Sequence, residues 1–174
     1  MLTLENTFAN PTAVADLGYT APHQFLILGL GESGFAMAKW CLRNGAAVRL
    51  VDTRDRSQFS ERQLAWLAEL EFAGLKDCHF GVLSEELLTD IDVIGISPGL
   101  SPLQEPTESF LVKARKARID VWSEIEFFAR AIAAMARMAE AKQSSYAASV
   151  LAVTGTNGKT TTTARTRAAT PRAP

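Results

Sequence analysis

At 174 residues with a net charge of −1, the chain is long enough for one ordinary domain with a real core and too short for two complete ones. The near-neutral balance gives no global attraction to nucleic acid or to an anionic membrane, so any phosphate binding must be local. Cys41 and Cys78 lack metal-ligand spacing, no stretch reaches the length of an apolar membrane span, and the N-terminal residues lack the basic and apolar regions of an export signal; a reduced, cytoplasmic protein is expected.

Residues 1–22 mix Asn, Thr, Pro and Gly with scattered apolar positions and read as an N-terminal extension. From His23 the pattern becomes regular. Phe25–Leu28 is a continuous apolar run, as in a strand buried on both faces of a parallel sheet, and it ends in Gly29-Leu-Gly-Glu-Ser-Gly34. A helix should follow, with Phe35, Ala38, Cys41 and Leu42 inward and Asn44-Gly45 as its stop. Ala47–Val51 reads as a second strand, with Asp52-Thr53-Arg54-Asp55 at its carboxyl end. Residues 60–70 read as a helix with Leu64, Leu67 and Leu70 inward, Cys78–Phe80 as a weaker strand, and Ser84–Leu88 as a short helix. Ile91–Ile96 is a further strand closing on Ser97-Pro98-Gly99, and 106–118 a helix whose Lys113, Arg115, Lys116 and Arg118 read as a solvated face, with phosphate binding the alternative. Asp120–Trp122 is a short strand. Ser123, with Glu126 three residues on, is the capping-box signature of a long helix to about Ala141. Residues 143–148 are the linker candidate, and Ser149–Val153 is an apolar strand running into Thr154-Gly-Thr-Asn-Gly-Lys-Thr160.

Strand and helix alternating at these short spacings predict an α/β fold over residues 23–142, a Rossmann-like parallel sheet with helices on both faces. Right-handed crossovers bring the strands' carboxyl ends to one edge. The loops at 29–34, 52–54 and 97–99 therefore meet where such folds bind ligands.

Gly29, Gly31 and Gly34 stand between strand and helix, and Asp52 lies 21 residues past Gly31. This is the dinucleotide fingerprint, in which the helix N-terminus offers unpaired N–H groups to a diphosphate. The bland alternative is a tight turn with Asp52 as a solvated loop residue. NAD and a nucleotide-diphosphate sugar present the same diphosphate, and the acid serves either. Ser97-Pro98-Gly99 likewise has two readings, a plain turn or a donor set led by the Ser97 hydroxyl. Glu124 and Glu126 diverge at i, i+2 on a helix, which points to capping and surface roles. His23 and His79 belong to no nucleophile pattern and read as structural. In the second glycine loop, Gly158, Lys159 and Thr160 match the needs of a polyphosphate with Mg²⁺, although the first glycine, Gly155, stands closer to the lysine than in a general P-loop.

Together, Gly29–Gly34, Asp52-Thr53-Arg54, Ser97-Pro98-Gly99, Glu124-Ile-Glu126 with Phe127 and Phe128, and Thr154–Thr160 resemble the Mur ligase family in order and spacing over residues 23–163, most closely its D-glutamate-adding members. The resemblance implies an ATP-dependent amide ligase of peptidoglycan precursor synthesis, monomeric, cytoplasmic and without nucleic-acid or membrane partners. Its substrates would be UDP-N-acetylmuramoyl-L-alanine, D-glutamate and ATP. By resemblance, Glu32 and Ser33 border the diphosphate, Asp52, Thr53 and Arg54 surround the uridine, and Ser97 and Gly99 complete that pocket. ATP phosphates would fall on Gly155, Thr156, Asn157, Gly158, Lys159, Thr160 and Thr161, with Lys159 and Thr160 catalytic and Thr160 beside Mg²⁺. The fifteen residues after Lys159 contain no Val, Ile, Leu, Met or aromatic residue, where the resemblance calls for an apolar helix. The expectation is therefore a domain at 23–142, the first strand and P-loop of a truncated ATPase domain at 149–163, a disordered tail at 164–174 unlike the family, and no ligase activity in this chain alone. The alternatives are an NAD-binding module or a non-catalytic fragment that binds the UDP precursor.

Overall fold

Phe25, Leu26, Ile27 and Leu28 are all fully buried, as the middle strand of a parallel sheet requires. The computed structural model describes residues 23–141, 143 and 149–169; the expected extension at 1–22 and most of the expected linker lie outside them. Five parallel strands, β1 (Gln24–Leu28), β2 (Ala47–Asp52), β3 (Asp77–Phe80), β4 (Val93–Ile96) and β5 (Asp120–Ser123), form one sheet in the order β3-β2-β1-β4-β5. The chain winds outward from β1 to β3, then returns to pair β4 against the other side of β1. That reversal opens a crevice at the carboxyl ends of β1 and β4.

Period-two alternation along β1 divides the core. Phe25 and Ile27 face a layer built from α1 (Glu32–Arg43), α2 (Glu61–Phe72) and α4 (Glu124–Ala141), where Met37, Cys41, Leu67, Leu70 and Phe127 are buried. Leu26 and Leu28 face the layer of α3 (Thr107–Lys116) and the 3₁₀ turn Glu85–Leu88, with Phe110, Leu111 and Leu88. Phe25, Trp122 and Phe127 meet mostly edge-on at ring separations of 5.2–5.8 Å, contacts of about 0.5–1.5 kcal/mol each beyond their burial. The basic face of α3 is exposed, as expected, with Lys113 paired to Glu85 at 3.2 Å. His23 is buried edge-on to Phe25, and His79 pairs with Asp77 at 2.8 Å.

Three expectations need correction. Leu64 is 39 % exposed, because the inward stripe of α2 runs through Gln63, Trp66, Leu67 and Leu70 rather than through Leu64. Ser149–Val153 forms no strand: among the described residues no strand pairs with its backbone, and Val150 and Leu151 are 59 % and 71 % exposed. Conversely, the expected disorder from residue 164 gives way to a helix, α5 (Lys159–Ala169), while 170–174 lie outside the described residues. A helix closes its hydrogen bonds within itself and Ala and Arg favour it, so it forms without burying a face. From Lys159 to Ala168 every residue is exposed except half-buried Thr166.

Because 149–169 add almost nothing to the core, deleting residues 149–174 should move the thermal unfolding midpoint by no more than about 2–4 °C, the scale of a surface change. A larger drop in a melting experiment would reveal packing against the sheet domain.

Candidate functional site

At the end of β1 the chain turns through Gly29, whose φ of +94° is a left-handed conformation open to glycine, and enters α1 at Glu32 with Gly31 as N-cap. No side chain caps α1, so its first amides, without partners inside the helix, face outward with roughly half a positive charge. The helix sits so close to the strand that a Cβ on Gly34 would lie 1.8 Å from the Gly29 carbonyl oxygen. By contrast, a Cβ on Gly31 would meet nothing within 4 Å. Gly34→Ala should therefore cost about 3 kcal/mol or more through forced backbone movement, and Gly31→Ala less than about 1 kcal/mol; chemical denaturation of the two variants measures both.

Asp52 closes this loop from β2. It is 2 % exposed and accepts the Leu30 amide at 2.7 Å and the Arg54 amide at 2.9 Å. Arg54 grips it bidentately, through Nε at 2.9 Å and Nη2 at 2.8 Å. Asp52 is thus not a solvated loop residue: its oxygens are engaged by its own chain at the wall of a cleft. Burial pushes the Asp52 carboxyl up, but the hydrogen bonds from Arg54 and Leu30 and the Arg54 charge outweigh it and hold the group below the ordinary carboxylate range. A depressed folded-state value gives stability present above the unfolded value of about 3.9 and lost as pH falls through the folded one. Asp52→Asn should therefore be less stable than the parent by about 1–3 kcal/mol at pH 7, with the gap narrowing below about pH 4 in unfolding titrations.

The sequence-expected loops do converge on one cleft of about 540 Å³, lined by Gly29–Ser33, Asp52–Arg54, Gln63 and Ser97–Leu100. Glu32 is at its rim, exposed and paired with Arg62 at 3.0 Å. Thr53 and Arg54 are half-buried, and Gly99 is exposed. The Ser97 hydroxyl does not turn into the crevice: it donates to the Gly29 carbonyl at 2.8 Å, binding the ends of β1 and β4 together, while Leu100 N–H to Ser97 O at 3.0 Å closes the plain turn. Ser33 Oγ donates to Glu124 at 2.5 Å, so Glu124 ties the start of α4 to the start of α1 instead of facing solvent. The expected Ser123 cap is present, with Glu126 N–H reaching its hydroxyl at 3.3 Å.

Gln63 is the residue that the sequence reading passed over. Its Nε2 donates to the Leu30 carbonyl at 2.7 Å, while its Oε1 completes a capping box with Ser60. A polar residue on the apolar stripe of α2, three positions after a capping serine, was the available signal.

No residue of the second loop lines this cleft. Gly155–Thr161 are all exposed, and the Lys159 ammonium donates to the Gly155 carbonyl within its own loop at 2.6 Å. An ATP–Mg²⁺ complex needs an enclosing surface and an acidic metal partner besides Lys159 and Thr160. Among the described residues no cluster of His, Cys, Asp or Glu suits a metal ion, so those residues alone do not fit the complex. Neither cysteine is a candidate nucleophile: burial pushes the Cys41 thiol far up, and burial with Glu71 and Asp77 nearby raises Cys78 to about 11. No described helix is long and apolar enough to cross a membrane.

The model of the Mur ligase MurD-like N-terminal domain matches residues 23–123, which hold the whole sheet and every wall of the cleft. The chain belongs to the MurD-like Mur ligase family. Among its MurD-like relatives, the UDP-N-acetylmuramoylalanine–D-glutamate ligase of Cupriavidus pinatubonensis is 51 % identical over 145 residues, 83 % of this chain and 26 % of that protein. The ligase of the same name from Ralstonia nicotianae is 47 % identical, over 80 % of this chain and 26 % of its own length. The chain thus spans about a quarter of the curated relatives it matches. A lactate dehydrogenase of Eimeria maxima aligns at a TM-score of 0.32 and 20 % identity, over 57 % of this chain and 30 % of that one, too slight a likeness to bear on function.

Proposed function

We propose that the β1/β4 cleft binds the UDP part of UDP-N-acetylmuramoyl-L-alanine, making residues 23–142 the precursor-binding domain of a D-glutamate-adding ligase. The observation that carries this reading is the uncapped N-terminus of α1 beside the open space at Gly31, inside a cleft whose walls all lie within the family's domain. The diphosphate lies against the Gly31–Ser33 amides, where the helix end favours negative charge. Arg54, held by Asp52, presents a cation to the same cleft; Thr53, Ser97 and Gly99 border the uridine.

Binding NAD in the dinucleotide manner would require the acid after β2 to accept a ribose hydroxyl. Asp52 already accepts four hydrogen bonds from Leu30 and Arg54, which favours the UDP reading over that of an NAD module. ATP, Mg²⁺, D-glutamate and the catalytic roles of Lys159 and Thr160 enter the proposal only for a ligase of the relatives' full length, working in the cytoplasm as a monomer.

Saturating UDP-N-acetylmuramoyl-L-alanine at a hundred times its Kd adds about 2.7 kcal/mol and should raise the melting midpoint by on the order of 10 °C, with UDP acting more weakly and NADH not at all. Gly31→Ala should weaken UDP about tenfold or more, since its methyl occupies the space where the diphosphate approaches. Stabilisation by NADH without any response to UDP would reverse the assignment.

A further inference from the structure

The peptide joining Leu30 to Gly31 is gripped on its carbonyl side. Leu30 O accepts Gln63 Nε2 at 2.7 Å and, more distantly, Arg54 Nη2 at 3.4 Å. In a trans peptide the C=O and N–H point in opposite directions, so whatever holds Leu30 O also fixes where Gly31 N–H aims, away from α2. That N–H has no acceptor among the described residues, and the space around Gly31 is open cleft. Glycine tolerates the backbone angles on either side of a peptide flip, so this unit depends on an outside restraint to keep one face toward the cleft. Donation into the carbonyl also polarises the peptide and makes its N–H a stronger donor to an anion.

We propose that Gln63 is a positioning residue for the anion site, acting through the Leu30–Gly31 peptide to aim the Gly31 N–H at the diphosphate. This rests on the nucleotide reading of the cleft given above. The two ends of the Gln63 amide have separate tasks: Oε1 accepts the Ser60 amide and hydroxyl at 3.1 Å each and caps α2, while Nε2 holds the loop. Two substitutions separate them. Gln63→Glu keeps the capping acceptor and removes the donor. Gln63→Met removes both without adding charge.

In the 174-residue protein, both variants should bind UDP at least about tenfold more weakly by calorimetric titration, with Gln63→Glu melting near the parent temperature. The ¹⁵N–¹H resonance of Gly31 should shift in both variants before any ligand is added, a signature that loss of the helix cap alone would not produce in Gln63→Glu. Parent-like UDP affinity in Gln63→Met, or a loss confined to Gln63→Glu and hence due to charge, overturns the positioning role and leaves the nucleotide reading standing. A parent protein that ignores UDP overturns the nucleotide reading, and inorganic diphosphate then decides the positioning role. A diphosphate-induced shift of the Gly31 amide in the parent and not in the variants supports it; no shift in the parent ends it.

Discussion

Every backbone polar group of Gly29 and Leu30 is paired with another element, and this constraint determines the shape of the site. Gly29 N–H donates to Val51 O at 2.7 Å, Gly29 O accepts Ser97 Oγ, Leu30 N–H donates to Asp52, and Leu30 O accepts Gln63. The partners come from β2, the β4 turn and α2, so the strand-to-helix loop is fixed from three directions. The 1.8 Å approach between a Gly34 Cβ and Gly29 O then leaves the start of α1 no room to shift. Once these groups are paired, the outward amides of the first turn of α1 remain, and a loop ordered beforehand spares an anionic ligand much of the entropy of organising its own site.

The charge arrangement follows from the same pairing. Asp52 serves the loop as an acceptor that only an acid can supply to two amides and a guanidinium together. The bidentate Arg54 neutralises it, and stacking of the guanidinium over Phe59 at 5.1 Å keeps the cation at the cleft wall. The pair is close to neutral as a unit, so the field at the cleft mouth is set chiefly by the end of α1.

What could be read from the sequence divides along the range of the forces involved. The unbroken apolar run of β1, the alternation of its neighbours with helices and the glycine spacing reported the sheet, its two helix layers and the three loops that meet, because burial on both faces writes itself directly into residue type. The directions of polar side chains were not legible. Ser97 and Asp52 have the residue types of ligand contacts, but their hydrogen bonds run to Gly29 and Leu30 across gaps of 68 and 22 residues. Nothing local distinguishes a hydroxyl aimed at a ligand from one aimed at a neighbouring strand. Gln63 was hidden for the opposite reason, since a polar residue on a helix near a capping serine is fully explained by the cap.

The two glycine loops show how far a motif depends on its surroundings. The Gly29–Gly34 loop is held by β2, β4 and α2, all within the same domain, so its geometry is complete without any further element. The Gly155–Thr160 loop has a comparable composition, but the apolar run before it pairs with no strand among the described residues, and its lysine turns back onto Gly155. α5 nevertheless forms after that loop, because a helix satisfies itself locally, whereas a strand requires another part of the chain to exist beside it. A glycine loop is held by the sheet edge that presents it, and among the described residues that edge exists for the first loop and not for the second.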